Sequence, residues 1–313
     1  MSNNFIVAVE AVIPLFGLIA VGLIVKKMKL LTDLELVHIN KMVFTIFFFD
    51  MMFYNIYTAK IGTMLHPQLV IFSLLMLAAI YIGSVAFVCL TEKDNRKRGA
   101  MIQAMYRSNF VFMGIPMAAN ICGDENIAVT TVLVTIIVPI YNVLAVFTLE
   151  MFRGGKFHFW TILWGVLKNP MIFGALCALI FRLLGIDIPK AVMRPIAQVN
   201  SATTPIALIV LGASFSFVTV KKSMHQLVTC VFARLIVVPA IAAFAAMQFG
   251  FRGIDFVTVL AIFAQPCAVA GYAMAQQMDS DADLARNCVV FSSALSCFTI
   301  FMWVYLFKTL EMF

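Results

Sequence analysis

Charge is scarce in this chain: of 313 residues, 12% are charged, 15 acidic and 22 basic, while 63% are hydrophobic. Soluble domains are roughly 45–50% apolar and about 25% charged. A soluble globular fold is therefore excluded, and an all-α polytopic membrane protein in the lipid bilayer is expected. Histidine is scarcer still, and His38, His66, His158 and His225 fall in loops or at helix ends with no ligand spacing among them. The seven cysteines form neither a Cys-x-x-Cys pair nor a Cys/His cluster, so no metal site, cofactor or disulfide framework is expected. The net charge of +7 reads as the lysine and arginine excess of cytoplasmic loops, not as a nucleic-acid-binding patch. Intramembrane hydrolases and transferases need paired carboxylates, or Ser/His or His/Asp sets, at one depth. Asp50 has no acidic partner at midplane and no histidine is deep, so an enzyme is not expected.

What is abundant is apolar sequence in long runs. A spanning helix needs about 20 such residues, and ten can be placed: 6–26, 41–59, 68–91, 100–121, 127–149, 161–183, 196–218, 225–249, 255–277 and 287–308. The N-terminal run has its lysines after the apolar core, where a signal peptide has them before it, so it reads as a retained first helix. KKMK (26–29), KDNRKR (93–98), RGGK (153–156), Lys168, Lys221 and Lys222 fall on one side of a ten-helix chain. The other side holds few basic residues: Lys60, Lys190, Arg194, Arg252 and Lys308. The basic side is then cytoplasmic, with both termini outside the inner (plasma) membrane. Trp160, Trp164 and Trp303 fit interfacial anchoring.

A short linker, 151–160, divides the helices into repeats at 1–150 and 161–313, and five being odd, the second repeat is inverted. MGIPMAANICGDENIA (113–128) aligns without a gap on AGYAMAQQMDSDADLA (270–285), bringing Gly114 onto Gly271, Met117 onto Met274 and the acidic turns together. Corresponding Gly/Pro-interrupted segments in two inverted halves point to a binding site. Both lie at mid-depth, in helices four and nine. The half-helices after the breaks would bring their positive ends together there, which favours an anion.

Arg107, Ser108, Asn109, Gly114 and Pro116 occupy the first break, and Gln265 and Pro266 the second. Arg107 suits a carboxylate, since guanidinium binds carboxylate bidentately; Ser108, Asn109 and Gln265 can bind substrate or satisfy loosened backbone. Arg234 is a second candidate clamp, or an arginine that snorkels to the interface. Asp50, midway along helix two, is costly at that depth unless neutralised or paired. It is the candidate for proton or cation coupling, with a structural ion pair as the alternative. Asn55 and Tyr54 are weaker candidates, and Thr203, Thr204 and Pro205 are expected to mark a bend.

Asn109-x4-Gly114-x-Pro116, TTPIALIVLGAS (203–214), RLIVVP (234–239) and Pro266 followed by AMAQQMDSDADLA (273–285) together give the chain a resemblance to bacterial members of the auxin efflux carrier family, over nearly its full length. The resemblance implies two inverted five-helix repeats with helices four and nine broken and crossing at the midplane. It also implies a homodimer with helices one, two, six and seven as scaffold, elevator-like alternating access, and a small organic anion such as malonate or malate as substrate. Asn109, Pro116 and Pro266 would take the crossover role. The family commonly has a proline in helix two where this chain has Phe48, Phe49 and Asp50, and the plant carriers have a long central loop absent here. Alternatives are a sodium-coupled carrier of the bile-acid symporter type and a sensor built on a carrier fold.

Overall fold

The computed structural model describes residues 2–58, 66–123, 127–153 and 159–313. Lys60, the acidic turn at Asp124 and most of the central linker, with Gly154, Gly155, Lys156 and His158, lie outside the described residues.

Every named element is helical: α1 Ser2–Lys27, α2 Asp33–Met42, α3 Phe48–Tyr57, α4 Pro67–Thr91, α5 Asn95–Tyr106, α6 Ile115–Cys122, α7 Ala128–Arg153 and α8 Phe159–Lys168. Then come α9 Pro170–Leu183, α10 Lys190–Ser214, α11 Phe217–Lys222, α12 Met224–Phe232, α13 Val238–Gln248, α14 Gly253–Phe263, α15 Ala270–Gln277 and α16 Ala282–Thr309. Local chemistry sets many of these limits. Thr32 and Glu35 form a reciprocal capping box at α2. Asp94, Asn169 and Asp281 cap α5, α9 and α16 with their side chains, and Pro170 takes the first turn of α9, where its missing N–H costs nothing.

Among the described residues, six helical runs are long and apolar enough to cross a membrane. In α4, Leu69, Phe72, Leu77, Ile80 and Val88 are buried on one stripe, while Ile71, Leu75, Ile82, Phe87 and Leu90 are exposed on the other. A helix apolar on both faces but packed on only one has lipid as its solvent. At about 1.5 Å per residue its 25 residues reach about 37 Å, enough for a hydrocarbon core of about 30 Å.

Among the described residues, three π-helical turns interrupt the pattern: Val43–Phe47 between α2 and α3, Phe110–Gly114 ahead of α6, and Ala233–Val237 between α12 and α13. A π turn disturbs the backbone ladder and frees acceptors, and side chains from other helices reach two of them. Thr203 Oγ1 lies 3.4 Å from the Phe47 carbonyl, and Trp303 Nε1 donates to the Leu235 carbonyl at 2.9 Å. Trp303 is thus a buried donor and not the expected interfacial anchor, whereas Trp160 and Trp164 are 78% and 61% exposed, as anchors should be.

One further expectation is corrected. Helix six is two pieces, α8 and α9, because Asn169 leaves the helix to cap the piece that starts at Pro170. Thr203, Thr204 and Pro205 lie inside α10, which runs from Lys190 to Ser214 with Pro195 and Pro205 within it.

Glycines let helices approach closely where α1 packs along α10. A Cβ on Gly22 would stand 2.2 Å from the Ile209 carbonyl oxygen, and one on Gly212 would stand 2.2 Å from that of Ile19. Similarly, Gly174 of α9 rests on the Phe49 carbonyl of α3, 2.4 Å from where its Cβ would be. One end of the molecule gathers basic side chains. There Lys26 donates to the Phe215 carbonyl at 2.7 Å, Arg153 pairs with Asp279 at 2.8 Å, and Arg96 reaches the Asp279 carbonyl at 3.2 Å.

Candidate functional site

α5 stops at Tyr106 and α14 at Phe263, and the two chain segments that follow meet in antiparallel fashion. Ser108 and Cys267 form an isolated bridge, the Asn109 amide donates to the Pro266 carbonyl at 2.8 Å, and the Ala268 amide lies 3.3 Å from the Arg107 carbonyl. Pro266 explains one break: it disfavours helical dihedrals at Gln265 and offers no amide to continue the ladder. Pro116 acts differently: it follows directly on the π turn Phe110–Gly114, inside the half-helix that starts at Phe110, and does not end a helix. Gly114 permits the contact between them, since a Cβ there would stand 2.4 Å from the Ala261 carbonyl oxygen of α14.

The carbonyls abandoned at the ends of α5 and α14 converge on one side chain. Arg234 is wholly buried in its π turn. Its guanidinium donates to Met105 O at 3.1 Å, Tyr106 O at 3.0 Å, Gln265 O at 2.8 Å and Phe263 O. A positive charge against two helix C-termini is favourable by dipole as well as by hydrogen bond. Arg234 therefore neither snorkels nor faces a ligand; it fastens the two breaks together.

On the other side of the crossing, the half-helices begin, and there lies a cavity of about 220 Å³. Phe110, Val111 and Phe112 from the first break and Ala268, Val269 and Ala270 from the second line it. The leading amides of a helix have no intrahelical acceptor, so both half-helices present donors and positive dipole ends here. Tyr141 and Asn142 come from the middle of α7, Asn200, Ser201 and Thr204 from the middle of α10, and Asn55 from α3. Those positions, halfway along two long helices, set the cavity at mid-depth of the bundle.

Arg107, Ser108 and Asn109 all line the cavity, and each is 4–5% exposed. Arg107 is steadied by uncharged groups: Nη1 reaches Gln103 Oε1 at 3.3 Å and Met274 Sδ at 2.9 Å, and Nη2 donates to Asn142 Oδ1. None of the four ion pairs among the described residues includes it. Ser108 Oγ donates to the Tyr141 hydroxyl at 3.3 Å. The Asn109 side-chain amide Nδ2 is buried with no hydrogen-bond partner among the described residues.

The other sequence candidates stand back from the cavity. Gln265 is fully buried behind the second break, its Nε2 3.3 Å from Met117 Sδ and its Oε1 without a partner among the described residues. Gly114, Pro116 and Pro266 shape the crossing and do not line the space. Asp50 is half-buried on α3 and is not among the cavity-lining residues, and its Oδ2 is buried with no partner among the described residues. Tyr141, Asn142 and Asn200 escaped sequence reasoning. All three lie on helices that run unbroken through their positions, and a lone polar residue there looks like any helix-packing contact.

Comparison with known proteins accords with this geometry. A family profile described as membrane transport protein matches residues 7–304. A protein of Methanothermobacter thermautotrophicus, described as an uncharacterized transporter, is 23% identical over 303 residues, covering 96% of this chain and 98% of its own. A second uncharacterized transporter, from Methanocaldococcus jannaschii, is 23% identical over 258 residues, covering 80% of this chain and 81% of its own.

Proposed function

We propose that this chain, which belongs to the membrane transport protein family of the auxin efflux carriers, is a secondary carrier that holds a small organic anion in the cavity at the crossing. The observation that carries this reading is the lining itself. A buried guanidinium without a carboxylate, an unpaired Asn109 amide and two helix N-termini face one space. A buried cation costs several kcal/mol unless compensated, and a carboxylate in the cavity would supply the charge and accept from Arg107 and Asn109. The volume of about 220 Å³ lies below the roughly 300–1,000 Å³ of pockets for drug-sized ligands, which suits a mono- or dicarboxylate such as malonate or malate.

In this reading the chain crosses the membrane ten times, as α1, α2–α3, α4, α5–α6, α7, α8–α9, α10, α12–α13, α14–α15 and α16. Residues 1–150 and 161–313 are inverted repeats. The packing of α1 and α2 on α10, and of α3 on α9 and α10, supports one scaffold body of helices one, two, six and seven. The remainder moves against it in elevator fashion, within a homodimer in the inner membrane. The gathered basic end faces the cytoplasm and both termini face outside, and Asp50 couples movement to protons.

The test is ligand-induced stabilisation of the purified protein. Malonate, malate and acetate are compared with choline in thermal melts, because a ligand at about 100 times its Kd adds about 2.7 kcal/mol. One of the acids raises the melting temperature in wild type and not in Arg107→Gln. Stabilisation by choline with none by the acids would refute an anion site.

A further inference from the structure

The central cavity does not stand alone. A second cavity of about 330 Å³ lies between α3 and α7 and shares Asn55, Val111 and Val138 with it. Beyond those three residues it is lined by Thr58, at the end of α3, and by Thr131 and Thr135, in the first turns of α7. Ten residues separate Thr131 from Tyr141 of the central cavity, about 15 Å along the helix. The second cavity therefore leads from mid-depth toward the end where α7 begins, opposite the basic end where α7 finishes at Arg153.

Toward the basic end, side chains tie the helices together. α15 begins at the central cavity, and its later turns are tied to α2, where Asn40 Nδ2 donates to Gln276 Oε1 and lies 3.5 Å from the Ala273 carbonyl. Asn40 is 1% exposed. Nearby, Arg286 of α16 donates to Thr219 Oγ1 of α11 at 3.0 Å and to Asp283 at 2.6 Å, within a layer that leaves Arg286 5% exposed.

We propose that the two cavities are one solute pathway, open toward the α7 N-terminal end and latched at the basic end by Asn40 and Gln276, with Asn55 as the selecting residue at its neck. Val111 and Val138 make the neck apolar, so a solute passing it sheds water there. Asn55, half-buried on α3, is the polar side chain of the three. It can replace part of the lost hydration for a solute with carboxyl or hydroxyl oxygens, and it offers nothing to an apolar one. The pathway rests on the carrier reading of the central cavity, yet its test needs no substrate.

Single cysteines replace Thr135, Asn55 and Val138 in a background with Cys89, Cys122, Cys177 and Cys297 changed to alanine. A membrane-impermeant methanethiosulfonate is then applied to each face of oriented vesicles. Thr135→Cys and Asn55→Cys should both react from the α7 N-terminal face and at least ten-fold more slowly from the basic face. Prior modification at Thr135→Cys with a bulky maleimide should block the deeper site. Adding Asn40→Ala should raise labelling of Asn55→Cys from the basic face several-fold. If Asn55→Cys does not fold, Val138→Cys reads the same neck from α7. Labelling of the neck only from the basic face, or no protection of it by the maleimide, would overturn the pathway. Either result would leave anion binding at the crossing untouched.

Discussion

Replacing Arg234 should damage the fold more than any other single change near the crossing. Its guanidinium serves four carbonyls from two chain breaks. Each buried acceptor left alone costs about 1–3 kcal/mol, so Arg234→Met abandons about 4–12 kcal/mol of contacts. Against this stands the release of a buried charge, worth several kcal/mol. The net loss should fall near the roughly 3–5 kcal/mol typical of removing one side of a buried charged contact. At about 2 °C per kcal/mol, the lower figure for the larger soluble domains, the melting temperature drops by about 6–10 °C. Arg234→Lys keeps the charge but lacks the planar fork, and should lose less than the methionine variant. Tryptophan fluorescence melts in detergent read this directly, because Trp303 donates to the Leu235 carbonyl beside Arg234. Arg107→Gln is the control: Arg107 and its partner Asn142 line the cavity and, among the described residues, it serves no backbone carbonyl, so the melt should move by less than half as much while ligand stabilisation disappears. If Arg234→Met melts within about 2 °C of wild type, the fastening role is wrong.

Two other substitutions separate packing from coupling. Gly212→Val places atoms where the α1 backbone already lies, 2.2 Å from the Ile19 carbonyl oxygen at Cβ alone. It should cost at least the roughly 1–3 kcal/mol of an overpacked core, seen as a lower melting temperature and poor yield; wild-type behaviour would mean that α1 and α10 are not held this closely. Asp50→Asn should leave uptake indifferent to an imposed pH gradient while ligand stabilisation persists, and an unaltered response to that gradient would remove Asp50 from coupling.

The breaks were legible because Pro266, Gly114 and Pro116 act on their own backbone, a local effect that sequence records. The match of 113–128 to 270–285 drew attention to both breaks together, and the cavity is lined by Arg107, Ser108 and Asn109 but not by Gln265. Arg234 was not legible, since its partners are backbone carbonyls far along the chain and a carbonyl carries no residue identity. Trp303 misled for a related reason. Its position near a helix end suited an anchor, while its actual partner is an acceptor freed by a π turn in another helix. For Asp50, depth could be counted from the sequence, but the face of α3 it occupies depends on how α3 packs on α9 and α10, which periodicity alone does not give.

The central claim is that the crossing holds a carboxylate that the protein then moves. It is tested most directly by uptake of labelled malonate, malate and acetate into proteoliposomes, with pH gradient, sodium gradient and membrane potential imposed one at a time. The account predicts saturable uptake of one of these acids, lost in Asn109→Ala and in Arg107→Gln while both variants remain folded. Saturable uptake that survives both substitutions, or uptake of none of the acids under any gradient by a folded wild-type protein, would contradict it.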